Sequence, residues 1–257
     1  MGNIIFHVSV AFGAAFLAGM INSVAGGGTL ISFPALVWLG VDPVRANATN
    51  TLALWPGSLA GMIGFRREMA DSRRWIFLLG LPSLLGGVAG AALLLLTPAS
   101  IFAAMGPWLI LFATLIFAVG DQISRRFRHE TMGAAPSRAW WAGAMVFQFF
   151  VAVYGGYFGA GIGILMLAAL GMLGLTDIHR MNGLKNFFAA CINGVAAVYL
   201  AMAGAVVWPD ALVMAAGAIC GGYGGAGLAR KLGRPFVRRV VIAVGLAMTV
   251  LMLFQRR

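Results

Sequence analysis

Ten apolar runs separated by short polar connectors set the pattern of this chain, at about 4–21, 29–41, 47–65, 75–96, 101–119, 139–155, 162–175, 184–204, 207–228 and 236–254. Most are long enough to cross a hydrocarbon core of about 30 Å as helices rising 1.5 Å per residue. The first run carries no Lys or Arg, and Arg45 is the first basic residue of the chain. It lacks the basic flank of a signal peptide and reads as a transmembrane helix. Two runs are shorter: 29–41, which contains Pro34, and 162–175, which contains Gly163, Gly171 and Gly174. Each predicts a helix only about 20 Å long, either a re-entrant element or a short crossing.

The connectors decide between those two. If all ten segments cross, the loops 66–74, 121–138, 176–185 and 229–239 share one side and hold 15 of the 18 basic residues. If the short segments turn back, the basic residues divide almost evenly. The positive-inside rule therefore favours ten crossings with both termini outside the cytoplasm.

The pattern also repeats. Sliding the second half back so that Gly161 falls on Gly27 superimposes the runs without a gap: 5–21 on 139–155, 29–41 on 163–175, 47–65 on 181–199, 75–94 on 209–228 and 102–119 on 236–253. Leu36 then meets Leu170, Gly87 meets Gly221, Gly90 meets Gly224 and Phe102 meets Phe236. Each half has an odd number of crossings, so the second enters from the opposite side. The fold class is an all-α, polytopic transmembrane bundle of two inverted five-segment repeats, with short second and seventh segments. Its organisation is 1–120 as first repeat, 121–138 as cytoplasmic linker and 139–257 as second repeat.

Composition agrees with a bilayer. Of 257 residues, 61% are hydrophobic and 10% charged, and the mean hydropathy is +0.93. A water-exposed fold needs about 25% charged residues. The net charge of +11 sits in the short connectors, which is a topology signal and gives no reason to expect a nucleic-acid partner. The expected partner is lipid. Cys191 and Cys220 lie inside apolar runs and read as small fillers.

In inverted-repeat transporters, a matched pair of short or Gly/Pro-interrupted segments is the best sequence pointer to the binding site. Here the pair is preceded by Gly26-Gly27-Gly28-Thr29 and by Gly159-Ala160-Gly161-Ile162-Gly163. Glycines before a short helix let the backbone approach a ligand and leave the first N–H groups available. If both helices start inside the membrane, two positive dipole ends favour an anion there. The alternative is tight helix packing. Beside these segments stand Thr49, Asn50 and Thr51, and in the second half Asn182, Lys185 and Asn186, whose hydroxyls, amides and ammonium suit an oxyanion. The Thr and Asn residues read equally as caps or inter-helix bonds. Lys185 reads two ways, as a ligand to the anion or as a residue snorkelling to the interface.

Catalytic chemistry has little support. His7, His129 and His179 are scattered, so no metal constellation is expected. None of the seven carboxylates stands in mid-span, and the glycine runs match neither a Walker A loop nor a dinucleotide fingerprint. The reading is a non-enzyme without cofactor or metal.

The stretch Ala18-Gly19-Met20-Ile21-Asn22-Ser23-Val24-Ala25-Gly26-Gly27-Gly28-Thr29-Leu30-Ile31-Ser32-Phe33-Pro34-Ala35-Leu36 resembles the amino-terminal signature of the sulfite exporter TauE/SafE family. The continuation Gly40-Val41-Asp42-Pro43-Val44-Arg45-Ala46-Asn47-Ala48-Thr49-Asn50 fits the same pattern, and Asn182-Gly183-Leu184-Lys185-Asn186 resembles its second-half counterpart. The second half departs from the pattern where Arg180 and Gly183 replace Ala46 and Thr49. What the resemblance implies is a transporter of small sulfur-containing anions such as sulfite, thiosulfate or organosulfonates in the inner membrane of a bacterium. Alternating access and export are the expectations, because an inside-negative potential of 100 mV offers about 2.3 kcal/mol per expelled negative charge. A different small anion, or a membrane scaffold or sensor whose glycines only pack, is the competing expectation.

Overall fold

The computed structural model describes residues 2–24, 27–64, 69, 72–129, 138–173, 175, 177–232 and 234–254. Within them the chain forms helices and no strand: α1 (Gly2–Val24), α2 (Thr29–Trp38), α3 (Pro43–Gly64), α4 (Arg73–Leu96), α5 (Ala99–His129), α6 (Arg138–Tyr157), α7 (Ile162–Met172), α8 (Ile178–Met202), α9 (Trp208–Leu232) and α10 (Arg234–Phe254). The chain is thus an all-helical polytopic bundle in the order the hydropathy pattern gives. Asn3–Asn22, Arg73–Leu96, Ala99–Val119 and Arg180–Met202 are each long and apolar enough to cross a membrane, and α2 and α7 are the short ones. Its outward surface is apolar: Phe77, Leu96, Met202 and Tyr223 are largely exposed, as lipid-facing side chains are.

The helices pack mainly across the two halves. α1 lies parallel to α9: His7 Nε2 meets Asp210 Oδ1 at 2.9 Å, Gly217 lies against Phe12 and Gly221 against Phe16. α4 lies parallel to α6 in the same manner, with Gln148 Nε2 donating to Ser83 Oγ at 2.9 Å, Gly86 against Phe149 and Gly90 against Val153. α3 and α8 run antiparallel. Thr49 reaches Val207, beyond the end of α8, whereas Trp55 Nε1, further along α3, donates back to the Ala190 carbonyl at 3.0 Å. α5 and α10 are antiparallel too, with Gly106 facing Met252, Thr114 facing Gly245, and the Ala118 carbonyl accepting from Arg238.

These directions carry the topology. A two-fold that exchanges α3 with α8 and α5 with α10, while each pair runs antiparallel, has its axis perpendicular to the helices. For helices standing across a bilayer that axis lies in the membrane plane, which makes the repeat inverted. The same directions choose between crossing and turning back. Re-entrant α2 and α7 would make α3 and α8 parallel; two crossings make them antiparallel, as they are.

Local chemistry explains the ends of the short helices. α2 closes with Gly40 at φ 88°, the Val41 N–H donating to the Leu36 carbonyl at 3.1 Å and the Gly40 N–H to Val37 at 3.0 Å, a Schellman ending. In the repeat-equivalent place the Leu175 N–H donates to the Leu170 carbonyl at 3.1 Å. Asp42 Oδ1 then accepts the N–H groups of Val44 and Arg45 at the start of α3, an N-cap that re-starts the chain in the opposite direction. One helix outruns its apolar pattern: α5 continues to His129, through the first part of the segment read as a linker. Hydropathy marks where a helix leaves lipid. It does not mark where the helix ends, and Gln, Arg and Ile are compatible with continued helix.

Candidate functional site

Both short helices begin inside the span. Gly28 packs on Ala18, about 24 Å along α1 from its start, and Gly161 packs on Ala113, about 21 Å along α5 from its start. Gly27 and Gly161, equivalent in the repeat, have φ 90° and 77°. Side chains rarely adopt that backbone, so glycine serves chain reversal here. Gly27 faces the Phe117 ring and Val241, while Gly161 faces Ala113. The two starts thus meet the same helix, α5, about one turn apart.

Around the start of α2 the polar groups form a connected set. The Gly28 N–H donates to Asn22 Oδ1 at 2.8 Å. Ser32 Oγ lies 3.1 Å from the Gly28 carbonyl and 2.5 Å from Asn50 Oδ1, both acceptors. Asn50 and Ser32 are buried, so this contact ties α2 to α3 within the protein. Thr29 is half-buried, and the Leu30 and Ile31 N–H groups close tight turns onto Gly27 and Gly28 at 3.0 Å. Asn22 and Ser32 enter the sequence pattern only within the family-like stretch 18–36. Their signal was there, as isolated polar residues flanking the glycine run.

Around the start of α7, Tyr154 OH donates to the Ala160 carbonyl at 2.7 Å, bracing the connection from α6. Gly163 lies under the stem of Lys185: a Cβ there would stand 3.2 Å from Lys185 Cδ. Lys185 is half-buried, about 10 Å along α8 from its start, so its stem runs beside the first turn of α7. Asn182 and Asn186 are half-buried as well and share its face of α8 at helical spacing. The arrangement sets an ammonium stem, two amides and a helix N-terminus side by side, which is chemistry suited to an anion.

Other predicted residues are engaged elsewhere. Gly26 lies outside the described residues. Thr51 Oγ1 donates to the Asn47 carbonyl of its own helix at 2.9 Å. Thr49 Oγ1 accepts the Val207 N–H at 2.9 Å, which ties α3 to the connection between α8 and α9. Asn47, fully buried, donates through Nδ2 to the Tyr157 carbonyl at 2.8 Å. Two open grooves of about 460 and 530 Å³ lie elsewhere. One runs along Trp55, Cys191 and Tyr199, the other along Phe77, Pro82 and Phe149, and both are apolar and lipid-like. Among the described residues, no group of His, Cys, Asp and Glu could hold a metal ion.

The chain compares with known proteins over nearly its whole length. The profile described as Sulfite exporter TauE/SafE matches residues 11–252. A "Probable membrane transporter protein" of Haemophilus influenzae is 29% identical over 97% of this chain and 95% of its own length. The "Probable membrane transporter protein YfcA" of Escherichia coli K12 is 28% identical over 98% and 93%. The "Probable membrane transporter protein ORF9" of a Sinorhizobium species is 27% identical over 98% and 95%. No solved structure matches.

Proposed function

The chain belongs to the sulfite exporter TauE/SafE family, a family of membrane transporters, and from that premise we propose that it carries a small sulfur-containing anion such as sulfite, thiosulfate or an organosulfonate out of the cell by alternating access. The membrane is the bacterial inner membrane, with the termini outside. The single observation that carries the site is the pair of helix starts at α2 and α7, both inside the span and a turn apart on α5. Each presents a positive dipole end, and Lys185 adds a full charge beside the second.

In this reading the anion displaces the Asn22 amide oxygen from the Gly28 N–H, with which it competes. Thr29 and Asn50 complete the shell from the first half, and Asn182 and Asn186 from the second. Gly27 and Gly161 supply the backbone conformation, and Gly163 supplies room for the Lys185 stem. No coupling ion is needed for export, since expulsion of one negative charge down an inside-negative potential of 100 mV releases about 2.3 kcal/mol.

Purified protein in liposomes tests this directly. Labelled sulfite, thiosulfate or a taurine-like sulfonate should move saturably and in response to an imposed potential. Passive leakage equal to that of empty liposomes for all three would defeat the reading.

A further inference from the structure

The two ends of the α3/α8 pair are held differently. At the end where α3 starts, buried Asn47 and Thr49 bond to backbone groups of the second half, the Tyr157 carbonyl and the Val207 N–H, at 2.8 and 2.9 Å. Next to Tyr157 along the chain, Phe158 stacks edge to face with Phe33 and Phe102, with centroids 5.3 to 6.4 Å apart, all three buried. The repeat-equivalent positions at the other end lack these parts. Met181 and Gly183 stand in the places of Asn47 and Thr49, and neither side chain can make those bonds. Phe236, the equivalent of Phe102, is 50% exposed where Phe102 is 0%. α3 packs on α5, and among the described residues α8 has no comparable packing on α10. In place of the buried latch, Arg180 Nε donates to Ser72 Oγ at 2.8 Å in a part-buried contact.

Within the latch, Asn47 Oδ1 is buried and no protein group donates to it. An amide held on one side only is a weaker tie than one held on both.

From these observations we propose that Asn47 and Thr49 are the latch of a gate at the end where α3 begins, closed over the Phe33–Phe102–Phe158 plug, and that opening of this latch exposes the helix starts to that face. The inference rests on the alternating-access reading above and specifies its outer gate. Asn47 and Thr49 act here as positioning residues. Their hydrogen bonds hold α3 against the second half.

Accessibility labelling tests it without any cargo. Cys191 and Cys220 are replaced by alanine, and Ser32→Cys places a reporter on α2 next to the plug residue Phe33. Right-side-out and inside-out vesicles are treated with an impermeant, positively charged thiosulfonate reagent. Asn47→Leu with Thr49→Val should raise the labelling rate at least tenfold from the face where α3 begins and leave the other face unchanged. Thr49→Val alone, which removes the acceptor of the Val207 N–H and leaves Asn47 in place, should give a smaller rise on the same face. No rise on that face overturns the gate, and so does an equal rise on both faces, as loss of fold would give. Because the reagent needs no transported anion, absence of flux in liposomes together with one-sided labelling would remove the transport reading and leave the gate standing.

Discussion

The glycines along α9 and those at the starts of α2 and α7 do different work, although composition cannot tell them apart. Along the α1/α9 and α4/α6 seams they let two backbones touch. A Cβ at Gly221 would fall within the Phe16 carbonyl, and one at Gly90 within the Val153 carbonyl. At Gly27 and Gly161 the requirement is positive φ, and the space beside Gly161 would accommodate a methyl group, its nearest neighbour being 3.5 Å away. Seams need small residues to replace the hydrophobic drive that lipid removes. Chain reversals inside the membrane need a residue free of Cβ strain. Packing glycine thus serves close approach of helices, and positive-φ glycine serves the reversal of the chain.

Substitution separates the two. The largest effect is expected at the seams: Gly221→Ala or Gly90→Ala should cost about 3 kcal/mol, the upper end for overpacking, since backbone cannot move aside as a flexible side chain can. Thermal unfolding and monodispersity in detergent measure it, and near-native stability would break the contrast. At the site, Lys185→Met should lower anion affinity about tenfold to over a hundredfold, the loss of a charge-assisted contact of roughly 1.5–3 kcal/mol. Lys185→Arg should restore only part of this, because a planar fork does not replace a compact ammonium. Unchanged binding in a folded Lys185→Met protein would make the residue a snorkelling one. Gly161→Ala is expected to cost about 1–2 kcal/mol of backbone strain, with flux falling more than stability. Smallest, and opposite in sign, is Gly13→Ala: Gly13 is in α1 with open space around it, so helix propensity should stabilise by about 0.5–1 kcal/mol.

Hydropathy made the helices legible because each apolar run must match the bilayer or fall visibly short of it. Even the short α2 and α7 stood out. What hydropathy leaves out is the partner of each helix. That α1 packs on α9, and α4 on α6, depends on which faces carry glycine, and every face of such helices is apolar. Of the candidate site, the glycine runs and Lys185 are what the sequence pattern points to. Asn47 carries no distinguishing sequence signal, since its partner, the Tyr157 carbonyl, is 110 residues away and is a backbone group. Thr51 shows the reverse case. A hydroxyl inside a helix bonds its own i−4 carbonyl, as Thr51 does with Asn47, and spacing alone could not separate that from a ligand role.

The α1/α9 seam also sets a clock for biogenesis. His7 and Asp210 are 203 residues apart, so at about 5–20 residues per second of synthesis α1 waits roughly 10–40 s for its partner. During that interval its small-residue face, with Ala11, Ala15, Ala18 and Gly19, meets lipid tails or a chaperoning insertase. The bundle therefore cannot mature half by half as the ribosome delivers it. The α1 seam stays open until the ninth helix arrives, whatever packing the earlier helices have made among themselves.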